Sequence, residues 1–201
     1  MREKKPILGL LGEYGMLTVA TALLVLGVIL GVIVAVVRTA HDQQRPGHRN
    51  PILGFFNAIL KIYVTVIRGT PMMVQLMIMG FVIFSSSKNF ALVGALTLGI
   101  NSGAYQAEII RAGIVSIDLG QMEAARALGL SYWRSMVRII LPQAVRNVLP
   151  ALGNEFIVLM KDTSIVGYIA LIDLAKGGDI IRSQTYSVYL PYLTVAAVYL
   201  I

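Results

Sequence analysis

The sequence predicts an all-helical membrane domain, and three observations predict it. Of the 201 residues 57% are hydrophobic and only 13% charged, with a mean hydropathy of +0.76, where an ordinary soluble domain is about one-quarter charged. The apolar residues gather into five long runs separated by short polar stretches. One stretch, from Gln121 to Pro150, is too polar to cross a bilayer yet lies between two runs that can. There is no cysteine, which excludes disulfides, thiol catalysis and thiolate metal sites. The net charge of +7 comes without a basic run or an aromatic platform, so nucleic acid is not an expected partner.

Taken in order, residues 1–15 read as an interfacial lead-in carrying Arg2, Glu3, Lys4, Lys5 and Glu13. Residues 16–37 hold no charge and match one crossing at about 20 residues. They lack a small-residue cleavage site, so no cleavable signal peptide is expected. Gly27 and Gly31 offer a neighbouring helix a close approach. The polar loop that follows contains Arg38, Arg45 and Arg49, with a turn at Pro46 and Gly47. His41 and His48 share this loop without further ligand candidates, so no metal site is expected.

The second run, residues 52–84, would overrun a ~30 Å hydrocarbon core if straight. A kink is expected near residues 69–71, because Pro71 removes a backbone N–H and leaves a carbonyl needing another partner. Arg68, Thr70 and Gln75 surround this break, and polar groups at depth are tolerated where they line a cavity or pack on protein. The third run, residues 90–110, turns polar halfway. Asn101, Tyr105 and Glu108 fall on one helical face and Ser102 and Gln106 on the next stripe, and a water- or ligand-facing surface is preferred over interhelical hydrogen bonding.

The fourth run, residues 150–172, is interrupted near 161–164 by Lys161, Asp162, Thr163 and Ser164. Charges there are costly, so Lys161 and Asp162 should be compensated by each other, by neighbouring helices or by a bound zwitterion. Residues 173–182 read as a loop with room for a short helix. The fifth run, residues 186–201, ends inside apolar sequence, and the chain is expected to continue past Ile201.

Within the polar stretch, residues 121–130 predict a short helix. Glu123 lies near its start, where negative charge is favoured, and Gly129 suits its C-terminal cap. Ala124 and Ala125 give it a smooth face, and Arg126, Arg134, Arg138 and Arg146 make its surroundings basic. An amphipathic helix lying on anionic lipid is the plainer alternative. The excess of arginine in this stretch and in the loop after the first run puts both on the cytoplasmic side. The N-terminus is then outside, and the C-terminus is inside after five crossings.

The pattern Glu123, Ala124, Ala125, Gly129, Ile139, Leu141 and Pro142 resembles the EAA loop of permease subunits of ABC importers. Four further stretches resemble the polar amino acid branch, the histidine, glutamine and arginine permeases: RGTPMMVQL from Arg68, NSGAYQAEIIRAGI from Asn101, LPQAVRNVLPALGN from Leu141 and MKDTSI from Met160. The resemblance implies a five-helix type I importer fold, MetI-like, with a cytoplasmic coupling helix.

It also implies partners and sites. Glu123, Ala124, Ala125, Arg126 and Gly129 would dock on a separate nucleotide-binding subunit. Thr70, Pro71, Asn101, Ser102, Tyr105, Gln106, Met160, Lys161 and Asp162 would contact an amino acid substrate delivered by an extracellular or periplasmic substrate-binding protein. A second permease copy, identical or paralogous, would complete the pathway in the bacterial cell membrane. No Walker glycine loop, nucleophile elbow or metal spacing occurs, so no catalytic residue and no cofactor are expected in this chain, and ATP and Mg would bind the partner ATPase. The neutral amide of Gln106 favours a neutral or acidic substrate over a cationic one. The readings left open are a type I importer permease for another cargo, a secondary carrier or channel, and a membrane scaffold without a pathway.

Overall fold

The computed structural model describes residues 15–42, 44, 50–169 and 173–200. The expected lead-in before Gly15, the turn at Pro46 and Gly47 with Arg45, His48 and Arg49, and Ile201 lie outside the described residues. Among the described residues every regular element is helical. The α-helices are α1 Gly15–Asp42, α2 Pro51–Gly69, α3 Met72–Met77, α4 Phe90–Val115, α5 Leu119–Ala127, α6 Tyr132–Ser135, α7 Leu141–Asp162, α8 Leu174–Thr185 and α9 Tyr189–Leu200. A π-helical turn follows α3 at Ile78–Ile83 and another follows α6 at Met136–Ile140, while α7 tightens into a 3₁₀ segment at Thr163–Ile169.

The chain forms two compact units. One comprises Val25–Gly69 and Ile100–Glu155; the other contains Thr70–Gly99 and the residues from Phe156 onward, with the first turns of α1.

In the first unit α1 and α4 run parallel and approach closely because α1 presents glycine. A Cβ on Gly27 would lie 2.5 Å from Gln106 Nε2 and 2.8 Å from Ser102 Oγ, and one on Gly31 would lie 2.9 Å from Gln106 Cβ and 3.0 Å from the Ala107 nitrogen. From the other side, Gly103 of α4 receives Leu30 and the Tyr63 hydroxyl. Val34, Val64, Ala104 and Ala107 form the core here, flanked by Leu60, Tyr63 and Ile67. The Tyr63 hydroxyl donates to the Ile100 carbonyl at 2.5 Å.

Charge closes the C-terminal ends of α1 and α4. Arg38 pairs with Glu108, and Arg111 spans Asp42 at 3.1 Å and Glu108 at 3.5 Å. Opposite signs thus meet where both helices would otherwise carry isolated charges at the edge of an apolar bundle, where an unpaired ion is costly. Glu108 therefore serves the α1–α4 contact rather than a ligand-facing stripe. The Asn57 amide reaches His41 Nδ1 at 3.2 Å, which seats the start of α2 beside the end of α1.

Helix α2 exposes Ile52, Phe55, Phe56, Ile59 and Ile62. Such a surface belongs in hydrocarbon or against protein. Two described helices, Val25–Asp42 within α1 and all of α2, are long and apolar enough to cross a membrane.

In the second unit the second apolar run breaks at Gly69 and Thr70. The freed backbone finds its partner locally: Gln75 Nε2 donates to the Thr70 carbonyl at 3.0 Å and to Thr70 Oγ1 at 2.7 Å. Leu76 is fully buried, and Gly80 in the π-helical turn lets Ile169 approach to 3.0 Å of where its Cβ would be. Asp173 caps α8 by accepting from the Ala175 and Lys176 amides at 3.2 and 2.9 Å. Gly178 of α8 admits Val195 of α9. Hydrogen bonds from Arg182 and Lys176 hold the Asp179 carboxyl below the usual carboxylate range, and Tyr192 donates to the same group at 3.2 Å.

The helices differ from the expected spans mainly at their ends. Helices α1 and α4 continue past residues 37 and 110, to Asp42 and Val115, because the ion pairs above let charged turns stay helical. Helix α7 begins at Leu141 rather than at Pro150. Pro142 follows directly on the π-helical turn, so its missing N–H falls where the ladder has slipped rather than at a free helix end. Pro150 lies within the helix, and Ala144 and Val148, both buried, hold the preceding turns in place. The interruption near 161–164 is the passage from α-helix to 3₁₀ at Thr163, whose hydroxyl donates to the Met160 carbonyl at 2.6 Å.

The two α1 glycines should not be equivalent. A methyl at Gly31 meets backbone, which cannot yield, whereas at Gly27 it meets the flexible end of Gln106. Overpacking costs about 1–3 kcal/mol against the ~1 kcal/mol that alanine gains over glycine in a helix. Gly31→Ala is expected to lower the melting temperature of the detergent-purified protein and Gly27→Ala to leave it nearly unchanged.

Candidate functional site

The polar stretch after α4 folds as a capped knob fastened to the helices on either side. Asp118 is the N-cap of α5, its carboxylate accepting from the Gly120 amide at 2.7 Å. At the other end Gly129 has φ +83°, the left-handed conformation a helix stop requires. The Gly129 amide donates to the Arg126 carbonyl at 3.0 Å and the Leu130 amide to the Ala125 carbonyl at 3.1 Å. This pair of bonds is the Schellman closure. A new helix then begins at Ser131, whose hydroxyl accepts from the Arg134 amide.

Beneath α5, Ile117, Met136, Ile140 and Ala144 form a second core, with Met122 and Tyr132 packed on it. A cavity of about 260 Å³ remains between Ile117, Met122, Tyr132 and Met136. Burial pushes the Tyr132 phenol above its usual range. The knob is tied to α4 and α7 as well. Asn147 Nδ2 donates to Ser116 Oγ at 3.1 Å and that hydroxyl donates to the Gly113 carbonyl at 2.9 Å. Gly113 has no room for a side chain, since Val148 occupies the space. Any displacement of α5 is therefore felt at the C-terminal end of α4 and at the start of α7.

Of the residues assigned to docking, Glu123, Ala124, Arg126 and Gly129 are exposed. Ala125 is not: it is 2% exposed and belongs to the packed side of α5. The paired alanines thus face in opposite senses, one outward and one into the core. Glu123 lies beyond the first turn of α5, which contains no acid, so the favourable charge at that terminus is Asp118. Sequence reasoning passed over Asp118, although Asp118 followed by Gln121 has the spacing of a capping box.

The residues assigned to substrate divide between the two units. In the unit containing α2 and the second half of α4, Ser102 and Gln106 are fully buried and Asn101 is nearly so. Gln106 Nε2 donates to Ser102 Oγ at 2.7 Å, beside Gly27. In this chain Ser102 and Gln106 pack against α1, in the space that two missing glycine side chains leave. Tyr105 is exposed, with the Arg68 guanidinium 5.3 Å above its ring, an arrangement that favours both groups when water is excluded.

In the other unit Thr70 and Pro71 are exposed at the break and Met160 is half-buried at the end of α7. Lys161 is exposed and Asp162 half-buried. No ion pair joins these two among the described residues, which removes mutual pairing from the three expected forms of compensation. Glu155, the last residue of the first unit, is buried.

The sequence model of the family described as "binding-protein-dependent transport system inner membrane component" matches residues 27–201. The chain belongs to this family. It is 37% identical over 180 residues to a Rickettsia typhi protein provisionally named a glutamine transport system permease protein, GlnP, covering 88% of this chain and 78% of that one. It is 38% identical to the arginine transport system permease protein ArtQ of Bacillus subtilis, covering 87% and 76%. Among solved structures, an amino acid ABC transporter crystallised with histidines superposes with a TM-score of 0.79 at 40% identity, over 92% of this chain and 82% of that one. The methionine transporter MetNI, in an inward-facing conformation, matches with a TM-score of 0.73 at 20% identity over 98% and 90%, and shares the fold.

The caps of α5 are open to direct test. Asp118→Ala should cost about 1 kcal/mol of local stability, and Gly129→Ala roughly 1–2 kcal/mol through the left-handed backbone. Gly153→Ala, in open space within α7, is the neutral control. Hydrogen exchange of the α5 amides should accelerate in the first two variants and not in the third.

Proposed function

We propose that this chain is the permease subunit of an ATP-driven importer for a polar amino acid, and that α5 is the lever through which a separate nucleotide-binding subunit moves it. The observation that carries the reading is the knob itself: a helix capped at both ends by Asp118 and Gly129 and bonded to α4 and α7 through Ser116 and Asn147. The names of the relatives, glutamine and arginine permeases, support the class of cargo. ATP and Mg bind the partner subunit, a substrate-binding protein delivers the amino acid from outside, and a second permease copy completes the pathway.

In this reading the chain crosses the inner membrane five times, with the N-terminus outside. The contacts of the first unit support alternating directions: α2 returns antiparallel to α1, with Asn57 beside His41, and α4 runs parallel to α1 through Gly27, Gly31 and Gly103. The arginines after α4 then meet the cytoplasm, as the excess of basic residues requires.

A zwitterion needs donors for its carboxylate and acceptors for its ammonium, which helix breaks supply with few formal charges. Substrate binding is carried over from the resemblance residue by residue, to Thr70, Pro71, Asn101, Tyr105, Met160, Lys161 and Asp162. Ser102 and Gln106 shape the pocket from behind Asn101 and Tyr105. ATP-driven closure of the partner dimer draws the knobs together, and differential contact of α5 with the open and closed dimer shifts the access equilibrium.

Glu123→Lys combined with Gly129→Asp should leave the protein inserted in the membrane and abolish uptake while ATP hydrolysis continues, read by parallel phosphate-release and transport assays on proteoliposomes. Undiminished uptake by the double variant removes the lever. Separately, Asn101→Asp should weaken uptake of the preferred amino acid about ten- to a hundred-fold, the value of a hydrogen bond to a charged group. An unchanged KM across the twenty amino acids would exclude Asn101 from the pocket.

A further inference from the structure

Between Ala124 and Asn154 the chain holds four arginines and no aspartate or glutamate. Arg126 turns back to the Leu130 carbonyl. Arg134, Arg138 and Arg146 are exposed and enter no ion pair among the described residues.

Burial sorts α6, the π-helical turn and the first turns of α7 into three stripes at multiples of four residues, the two exposed ones interrupted at Leu141 and Pro142. Met136, Ile140, Ala144 and Val148 are buried in the core beneath α5 and against Gly113. Trp133, Val137, Val145 and Leu149 form a second stripe, each more than half exposed. The third stripe is Arg134, Arg138 and Arg146. Trp133 is the single tryptophan of the chain and is 70% exposed, its ring set edge-on to Tyr132.

We propose that the arginine stripe Arg134, Arg138 and Arg146 binds the phosphate headgroups of anionic phospholipid in the cytoplasmic leaflet, with Trp133 and Val137 entering the interface beside it. The proposal rests on the cytoplasmic placement of this segment in the function proposed above. Two features single out lipid over an acidic protein surface. The exposed apolar stripe does not end with the arginines but runs on along α7 to Ile157 and Val158, both exposed, so the cations flank a surface that continues into hydrocarbon. An exposed tryptophan beside them suits the headgroup level, where an amphipathic ring satisfies both phases. Guanidinium groups pair with phosphate through two parallel hydrogen bonds, and each basic residue near an anionic leaflet changes binding on the order of five-fold.

The test uses the complete transporter, permease and ATPase subunits together, in nanodiscs of phosphatidylcholine doped with brominated phosphatidylglycerol or brominated phosphatidylcholine. The Trp133 signal is the fluorescence difference between the wild type and Trp133→Phe. Phosphatidylglycerol is expected to quench it at lower mole fraction than phosphatidylcholine, and Arg134→Gln with Arg138→Gln and Arg146→Gln to erase that preference, on the order of five-fold for each charge removed. Equal quenching by the two lipids in the wild type overturns the proposal. So does quenching by neither lipid together with loss of the ATPase subunit from the triple variant, which would assign the stripe to a protein partner. Because the chain has no cysteine, Leu128→Cys labelled with a membrane-impermeant maleimide reports the side independently. Labelling from outside would defeat the topology and the lever with it, whereas labelling from the cytoplasm without a lipid preference would overturn the lipid site alone.

Discussion

Backbone hydrogen bonding in a medium without water is the constraint on which the rest of this structure depends. In hydrocarbon an unmade N–H or C=O bond costs several kcal/mol, so a chain must satisfy each group within itself. Helix is the immediate consequence, but the informative places are those where helix fails. At Thr70 and Pro71 the helix ends, and Gln75, from one turn further along, donates its side-chain amide to the Thr70 carbonyl. Ahead of Pro142 the ladder slips by one residue into a π-helical turn, which accommodates the missing donor without ending the helix. At Asp162 the helix tightens to 3₁₀ and Thr163 donates back to Met160. Each irregularity is repaired from nearby.

Packing in a membrane has little help from the hydrophobic effect, since lipid is as apolar as leucine, and contact area must come from close approach. The α1–α4 pair is built on this. Gly27, Gly31 and Gly103 remove side chains at the crossing, and the space admits Ser102 and Gln106, which bond to one another. The ion pairs of Arg38, Glu108, Arg111 and Asp42 then fix the ends where the helices leave the apolar region. Shape determines the approach, and polar groups determine the register.

The same economy fastens α5. A nine-residue helix has little stability of its own in water, and α5 persists because it is capped at both ends and lies on a core of Ile117, Met136, Ile140 and Ala144. Its outer face presents Glu123, Ala124 and Arg126, while Ala125 and Met122 bind it to the protein. Ser116 and Gly113 connect it to α4, and Asn147 and Val148 to α7.

What the sequence by itself determined were features set by local chemistry or by a short pattern: the apolar runs, the break at Gly69 to Pro71, the stop at Gly129, the family resemblance carried by the EAA and RGTP stretches. These were legible because proline, glycine and unbroken hydrophobicity act on their own neighbourhood, whatever the rest of the chain does. The tertiary structure alone decided which side of α5 each alanine occupies, that Glu108 answers Arg38, that Arg68 lies over Tyr105, and that Ser102 and Gln106 face α1. Helical periodicity puts residues on a stripe but does not say what the stripe meets, and the answer depended on glycines some seventy residues away.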